Sequence, residues 1–98
     1  MRTMLRISIP ASSGNKSIQD GSLPRIIQNA LETLKPESAY FFPEDGKRTA
    51  LMVFDLKDPT QIPVVAEPFF MGFDAEVKMI PVMNAQDLQA GLAQLSRK

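Results

Sequence analysis

Two hydrophobic periods follow each other along the first third of the chain. Residues 3–9 alternate apolar and polar positions, which predicts a β-strand that Pro10 ends. In residues 22–34 the apolar side chains recur three and four positions apart, which predicts an amphipathic helix. The polar residues 11–22 between these elements are predicted to form a long connection, with a short helical turn around residues 15–19.

The rest of the chain continues the exchange of strands and helices. In the middle of residues 47–56 the odd and the even positions are both apolar, a pattern typical of a central strand covered on both faces. Residues 58–71 open with an Asp-Pro pair and predict a helix that Pro63 and Pro68 make irregular. The other predicted elements are an aromatic strand at 38–42 ended by Pro43, an Asp45-Gly46 turn and a strand at 74–83. Residues 84–87 are predicted to cap a terminal helix whose Leu88, Leu92 and Leu95 form one stripe.

The order of these elements, β-α-β-β-α-β-α, predicts one α+β domain spanning residues 1–98. Such an order packs as a ferredoxin-like βαββαβ sandwich with an extra C-terminal helix. Its sheet is expected to be four-stranded and antiparallel, with strand order 4-1-3-2.

The alternation also predicts which side chains share a face of the sheet. One face is expected to lie under the helices and the other to be free; the free face is predicted to be rich in Met and Phe, and large exposed apolar patches of that kind mark interaction surfaces. A homodimer formed through this sheet face is therefore the expected partner arrangement. The helix-covered set is predicted to be Leu5, Ile7, Ile9, Leu51 and Val53, and the free set Met4, Arg6, Ser8, Ala50, Met52, Phe54, Glu76, Lys78 and Ile80.

Several short stretches carry a resemblance to a known superfamily. They are Gly14-Asn15-Lys16 with Asp20-Gly21, Ala39 to Phe42, Arg48 to Phe54, and Ala66 to Phe69. With them the whole chain resembles the dimeric α+β barrel superfamily and, within it, an uncharacterised family of small proteins of about 95 residues with no assigned activity. The resemblance implies ferredoxin-like protomers whose sheets face each other across a dimer axis.

The composition excludes several kinds of catalytic and metal-binding chemistry. The chain has no histidine and no cysteine, which excludes a histidine base, haem ligation by histidine, a cysteine nucleophile and a Cys/His zinc site. No metal site and no cofactor are predicted. The formal net charge is zero, so a nucleic-acid partner is not expected. No apolar stretch is long enough for a membrane span, and a cytoplasmic protein is predicted.

Five residues are candidates for ligand contact. Arg6 is a candidate anion clamp, with a cross-strand ion pair to Glu76 as the alternative. Tyr40 and Glu67 are candidate proton acceptors; the alternatives are that the tyrosine packs and that the glutamate faces solvent. The remaining ligand-binding candidates, from the glycine-bracketed loop before the first long helix, are Asn15 and Lys16, with ordinary loop polarity as the alternative.

The residues leave three hypotheses for function open. The first is a dimeric α+β barrel protein that binds a small, partly apolar or carboxylate-bearing molecule. The second is a cofactor-independent enzyme of isomerase or monooxygenase type that uses Tyr40 or Glu67. The third is a structural or regulatory homodimer without a ligand.

Overall fold

One four-stranded antiparallel sheet forms the centre of the computed structural model, which describes residues 1–96. The strands follow the order β2-β3-β1-β4, which is 4-1-3-2 when read from the β4 edge. The α+β class and the antiparallel sheet predicted from the sequence are therefore confirmed. The strands are β1 (Arg2–Ile9), β2 (Ser38–Glu44), β3 (Lys47–Asp55) and β4 (Glu76–Pro81).

Residues 1–96 form four helices beside the sheet, one more than the pattern predicts. They are α1 (Ala11–Gln19), α2 (Ser22–Leu34), α3 (Gln61–Phe73) and α4 (Ala85–Leu95).

The additional helix, α1, replaces the connection predicted after β1. That prediction is wrong because serines are common in loops, whereas the serine hydroxyls of this segment donate hydrogen bonds to backbone carbonyls of helices. Ser13 Oγ donates to the carbonyl oxygen of Phe73 at 2.6 Å, and Ser17 Oγ donates to that of Ser13 at 2.7 Å. Tertiary contact with α3 thus stabilises a helix whose own apolar content is low.

The hairpin between β2 and β3 has the predicted two-residue turn. Asp45 and Gly46 both have positive φ angles, 54° and 76°, as a type I′ turn requires. Pro43, predicted to end β2, instead lies inside it, opposite Arg48. Because β2 is an edge strand, the missing N–H of a proline costs no ladder hydrogen bond when it faces outward.

The predicted assignment of β3 side chains to the two faces is wrong by one residue. Leu5 of β1 pairs with Met52, and Ile7 pairs with Ala50, so these side chains lie on the helix-covered face. Leu51 therefore belongs to the other face. Alternation along a strand identifies which residues share a face. When both sets of side chains are apolar, as in β3, the sequence does not indicate which set is buried. The β3 residues on the covered face are Arg48, Ala50, Met52 and Phe54, and those on the other face are Lys47, Thr49, Leu51, Val53 and Asp55.

Helix α3 starts three residues later than predicted and continues through its proline. Asp58 Oδ1 accepts from the Thr60 backbone N–H at 2.8 Å, so it holds the turn before the helix rather than capping it. Pro63 lies in the first turn, where no N–H bond is lost. Pro68 lies in the interior, and the helix still runs to Phe73 because one face is packed into the core.

The core lies between one face of the sheet and helices α2 and α3. Its fully buried large side chains come from both layers, and the rings of Phe69 and Phe73 lie 6.3 Å apart, centre to centre. These five side chains are Leu5, Ile7, Met52, Phe69 and Phe73.

The buried ring of Phe69 is expected to be a main contributor to stability. Phe69→Ala should lower the free energy of unfolding by about 3–5 kcal/mol, because transfer energy is lost and a cavity is left. The neighbouring Phe70→Ala is the matched control, since Phe70 is 41% exposed and should cost roughly 1 kcal/mol. Urea unfolding followed by circular dichroism measures both; equal losses would contradict this packing.

Asp55, at the end of β3, makes stability depend on acid pH. Its carboxylate accepts from Lys57 Nζ at 2.6 Å and from the Met1 amino group at 2.5 Å, which lowers the pKa of Asp55 to about 2. The folded state thus favours the ionised form, so this contribution is complete above about pH 4 and is lost as the pH falls towards 2. Asp55→Asn should reduce the fall of the urea midpoint over this window, and a fall as large as that of the wild type would contradict this role of Asp55.

Candidate functional site

An apolar groove lies between α2 and the edge strand β2. Its lining joins α2 to residues of β1, β2 and β3, and Phe41 of β2 is 53% exposed there. The groove has a volume of about 510 Å³. It is lined by Ile9, Leu23, Pro24, Ile27, Leu31, Phe41, Phe42, Pro43, Arg48, Thr49 and Ala50.

Arg48 is the one charged side chain that residues 1–96 contribute to the lining of this groove. It is half-buried, because the β3 register puts it on the helix-covered face together with Ala50. Its Nη2 donates to Asn15 Oδ1 of α1 at 3.1 Å. No carboxylate of residues 1–96 lies within 4 Å of the Arg48 guanidinium. Most of its five N–H donors are therefore available to another acceptor.

Gly14 of α1 makes room for this guanidinium. A Cβ atom at position 14 would lie 2.6 Å from Arg48 Nη1 and 3.3 Å from Ile9 Cγ2. The glycine lets α1 approach β3 closely enough for Asn15 to bond the arginine. Helix α1 therefore orients the Arg48 side chain, by close packing at Gly14 and by the hydrogen bond from Arg48 to Asn15.

The structure does not bring the five candidates predicted from the sequence into one site. Asn15 contacts the groove arginine, and Lys16 is the next residue on α1, exposed and outside the groove lining. Arg6 and Tyr40 lie on the other face of the sheet, where Tyr40 is 66% exposed. Glu67 is exposed on α3, so it lacks the apolar burial on which its candidacy as a base depends.

Arg6 belongs to a charged cluster on the uncovered face of the sheet. It forms an ion pair with Glu44 of β2, and not with Glu76, the partner that the sequence offers as an alternative. Glu76 instead accepts from Lys47 Nζ at 3.2 Å. The cluster lines a polar depression of about 270 Å³ in which most charges already have partners.

The chemistry of the groove is that of binding rather than of proton transfer. Within the described residues 1–96, the polar residues of its lining are Arg48 and Thr49, and no Asp, Glu, Lys or Tyr lines it. An arginine does not lose its proton near neutral pH, so it is suited to hold an anion. The apolar lining is suited to a hydrocarbon or aromatic body next to that anion.

Arg48 is absent from the candidates predicted from the sequence, although the sequence contains a signal for it. In residues 47–54 it shares its parity with Ala50 and Met52. A cation that continues the buried side of a strand is unusual and marks a point where the core opens. This signal is missed because the sequence-based prediction places Leu51 and Val53, rather than Ala50 and Met52, under the helices.

No protein-family model matches this chain, and no curated protein matches it in sequence. Within residues 1–96, none of the helices combines the length and the apolar character that crossing a bilayer demands.

Proposed function

We propose that this protein binds a small carboxylate with an apolar body in the groove between α2 and β2. The observation that carries the proposal is an apolar groove of about 510 Å³ whose single charged lining residue, Arg48, has no acidic partner among residues 1–96. Burying part of a cation without an anion is unfavourable, and an incoming carboxylate relieves that cost.

The contacts of Arg48 support a carboxylate rather than a neutral ligand. A guanidinium presents two parallel N–H groups that match the two oxygens of a carboxylate. The bond to Asn15 at 3.1 Å, together with the close approach at Gly14, limits its rotamers before a ligand arrives. Pre-orientation of this kind lowers the entropy cost of binding.

The same proposal includes the ferredoxin-like topology and a homodimer. The observed strand order and the superfamily resemblance support the topology. The uncovered face of the sheet supports the homodimer, because it carries an apolar patch; this patch consists of Met4, Tyr40, Leu51, Val53 and Ile80. A cytoplasmic location belongs to the proposal as well, and the lack of cysteine agrees with it.

Decanoate is a suitable probe of the groove, with decan-1-ol as the uncharged comparison. Isothermal titration should detect decanoate binding, and Arg48→Gln should weaken it by at least about tenfold, because hydrogen bonds to a charged group are worth roughly 1.5–3 kcal/mol. Phe41→Ser should weaken both ligands. Arg25→Gln, an exposed arginine of α2 outside the groove, should change neither.

The proposal is overturned if decanoate does not bind, or if Arg25→Gln weakens it as much as Arg48→Gln. Absence of binding combined with a dimer in solution would favour a homodimer without a ligand.

The homodimer is tested by a charge on the apolar patch. Wild-type protein should be a dimer at micromolar concentration, and Val53→Asp should convert it to a monomer, because a carboxylate would be buried without a partner. The matched control is Val64→Asp on α3, where the side chain is 70% exposed and far from this face. Light scattering after gel filtration measures both; a monomeric wild type would exclude the homodimer.

A further inference from the structure

Helix α4 has no packing partner within residues 1–96. None of its residues is buried, and its three leucines, Leu88, Leu92 and Leu95, are 45%, 54% and 70% exposed. It is joined to the sheet mainly at its first turn, where Arg2 Nη1 donates to Asp87 Oδ2 at 3.0 Å. Its N-terminus is closed by a capping box between Asn84 and Asp87.

A helix in this situation needs a surface to pack against. An 11-residue helix is marginal in water by itself, because its hydrogen bonds barely offset the ordering of its backbone. Caps and one exposed ion pair stabilise its first turn but not its last two. The leucines at i, i+4 and i+7 form an apolar stripe of the kind that other helices bury.

The size of the molecule indicates that a second copy supplies this surface. The chain exposes 6672 Å², whereas a compact protein of 10.9 kDa exposes about 5,600 Å². Its radius of gyration is 15.9 Å against about 12.6 Å for a compact chain of this length. The excess of roughly 1,100 Å² per chain, doubled, matches the area that a stable interface between two proteins buries.

The apolar end of the uncovered sheet face lies where α4 leaves the sheet. Val53, Met4 and Ile80 are direct neighbours across β3, β1 and β4 and form an apolar row. The Val82 backbone N–H, just beyond β4, donates to the carbonyl oxygen of Arg2 at 3.1 Å, next to this row. The row and the start of α4 therefore belong to the same end of the molecule, as a reciprocal contact between α4 of one copy and the row of another requires.

Charge favours a second copy over an ion-bearing partner. The single charged residue in α4 is Asp87, and its carboxylate is already paired with Arg2. The row itself consists of uncharged side chains, and the charged cluster of Arg6 and Glu44 lies further along the sheet. A nucleic acid or an anionic membrane needs unpaired positive charge, and neither α4 nor the apolar row contributes any among residues 1–96.

We propose that α4 crosses to a second copy of the chain and packs its leucine stripe across the partner's apolar row. This inference rests on the proposed homodimer and adds the element that each copy contributes to the other. Each copy gives one helix and receives one, so the contact is reciprocal and closed. It explains why a helix with no packing partner in the described part of its own chain carries a regular leucine stripe.

Analytical ultracentrifugation of the full chain tests whether the leucine stripe of α4 stabilises the dimer. The double change Leu88→Ser and Leu92→Ser should raise the dimer dissociation constant at least 100-fold, because four leucines per dimer lose their burial. The matched control is Gln86→Ser with Gln89→Ser on the same helix, which should change it less than about threefold. Circular dichroism establishes that both variants are folded.

A photo-reactive phenylalanine analogue at position 92 tests where α4 lies. In a mixture of ¹⁴N- and ¹⁵N-labelled chains, cross-links should join two different chains and end in the peptides that carry Met4, Val53 or Ile80. Cross-links confined to one chain would overturn the proposal.

The outcomes separate this inference from the homodimer itself. If wild-type protein dimerises and Val53→Asp abolishes the dimer while the leucine variant leaves it unchanged, the sheet-face dimer stands and the crossing of α4 is wrong. If wild-type protein is monomeric, both are wrong. Neither result bears on binding of decanoate in the groove.

Discussion

The antiparallel pairing of β1 with β3 is the interaction on which the other features depend. Because Leu5 lies opposite Met52, one parity of β3 packs under the helices and the other faces outward. Arg48 shares the parity of the core residues, so it reaches the groove instead of the charged cluster on the opposite face. Leu51 and Val53 have the other parity and supply the uncovered apolar patch. A shift of one residue would exchange these roles.

Incomplete cover of the sheet produces the candidate binding site. Helices α2 and α3 pack against the core face of the sheet, whereas Phe41 of the edge strand β2 remains 53% exposed. The groove is thus the unfilled end of the core, with an arginine where another core residue would otherwise lie. Packing of α1 at Gly14 and the bond from Asn15 orient that arginine. Stability and recognition therefore share the same layer.

The two apolar surfaces left outside the core have a common physical origin. A sheet covered by helices on one side exposes its other face, and β4 ends at an edge where α4 has no layer to join within residues 1–96. The chain thus has more surface than its mass requires. Surfaces that lack charge and lie at one end of a molecule are suited to self-association, in which each copy covers the other.

Local period and local hydrogen bonding are enough to predict most elements of this chain, among them β1, the amphipathic α2, the Asp45-Gly46 turn and the cap of α4. Composition alone also excludes histidine and cysteine chemistry. The parity of β3, the helical state of α1 and the isolation of Arg48 from acids emerge only in the folded chain, because each depends on a neighbour distant in sequence. Local patterns carry no information about such neighbours, so the alternation of β3 allows Arg48 on either face and only the strand pairing places it in the groove.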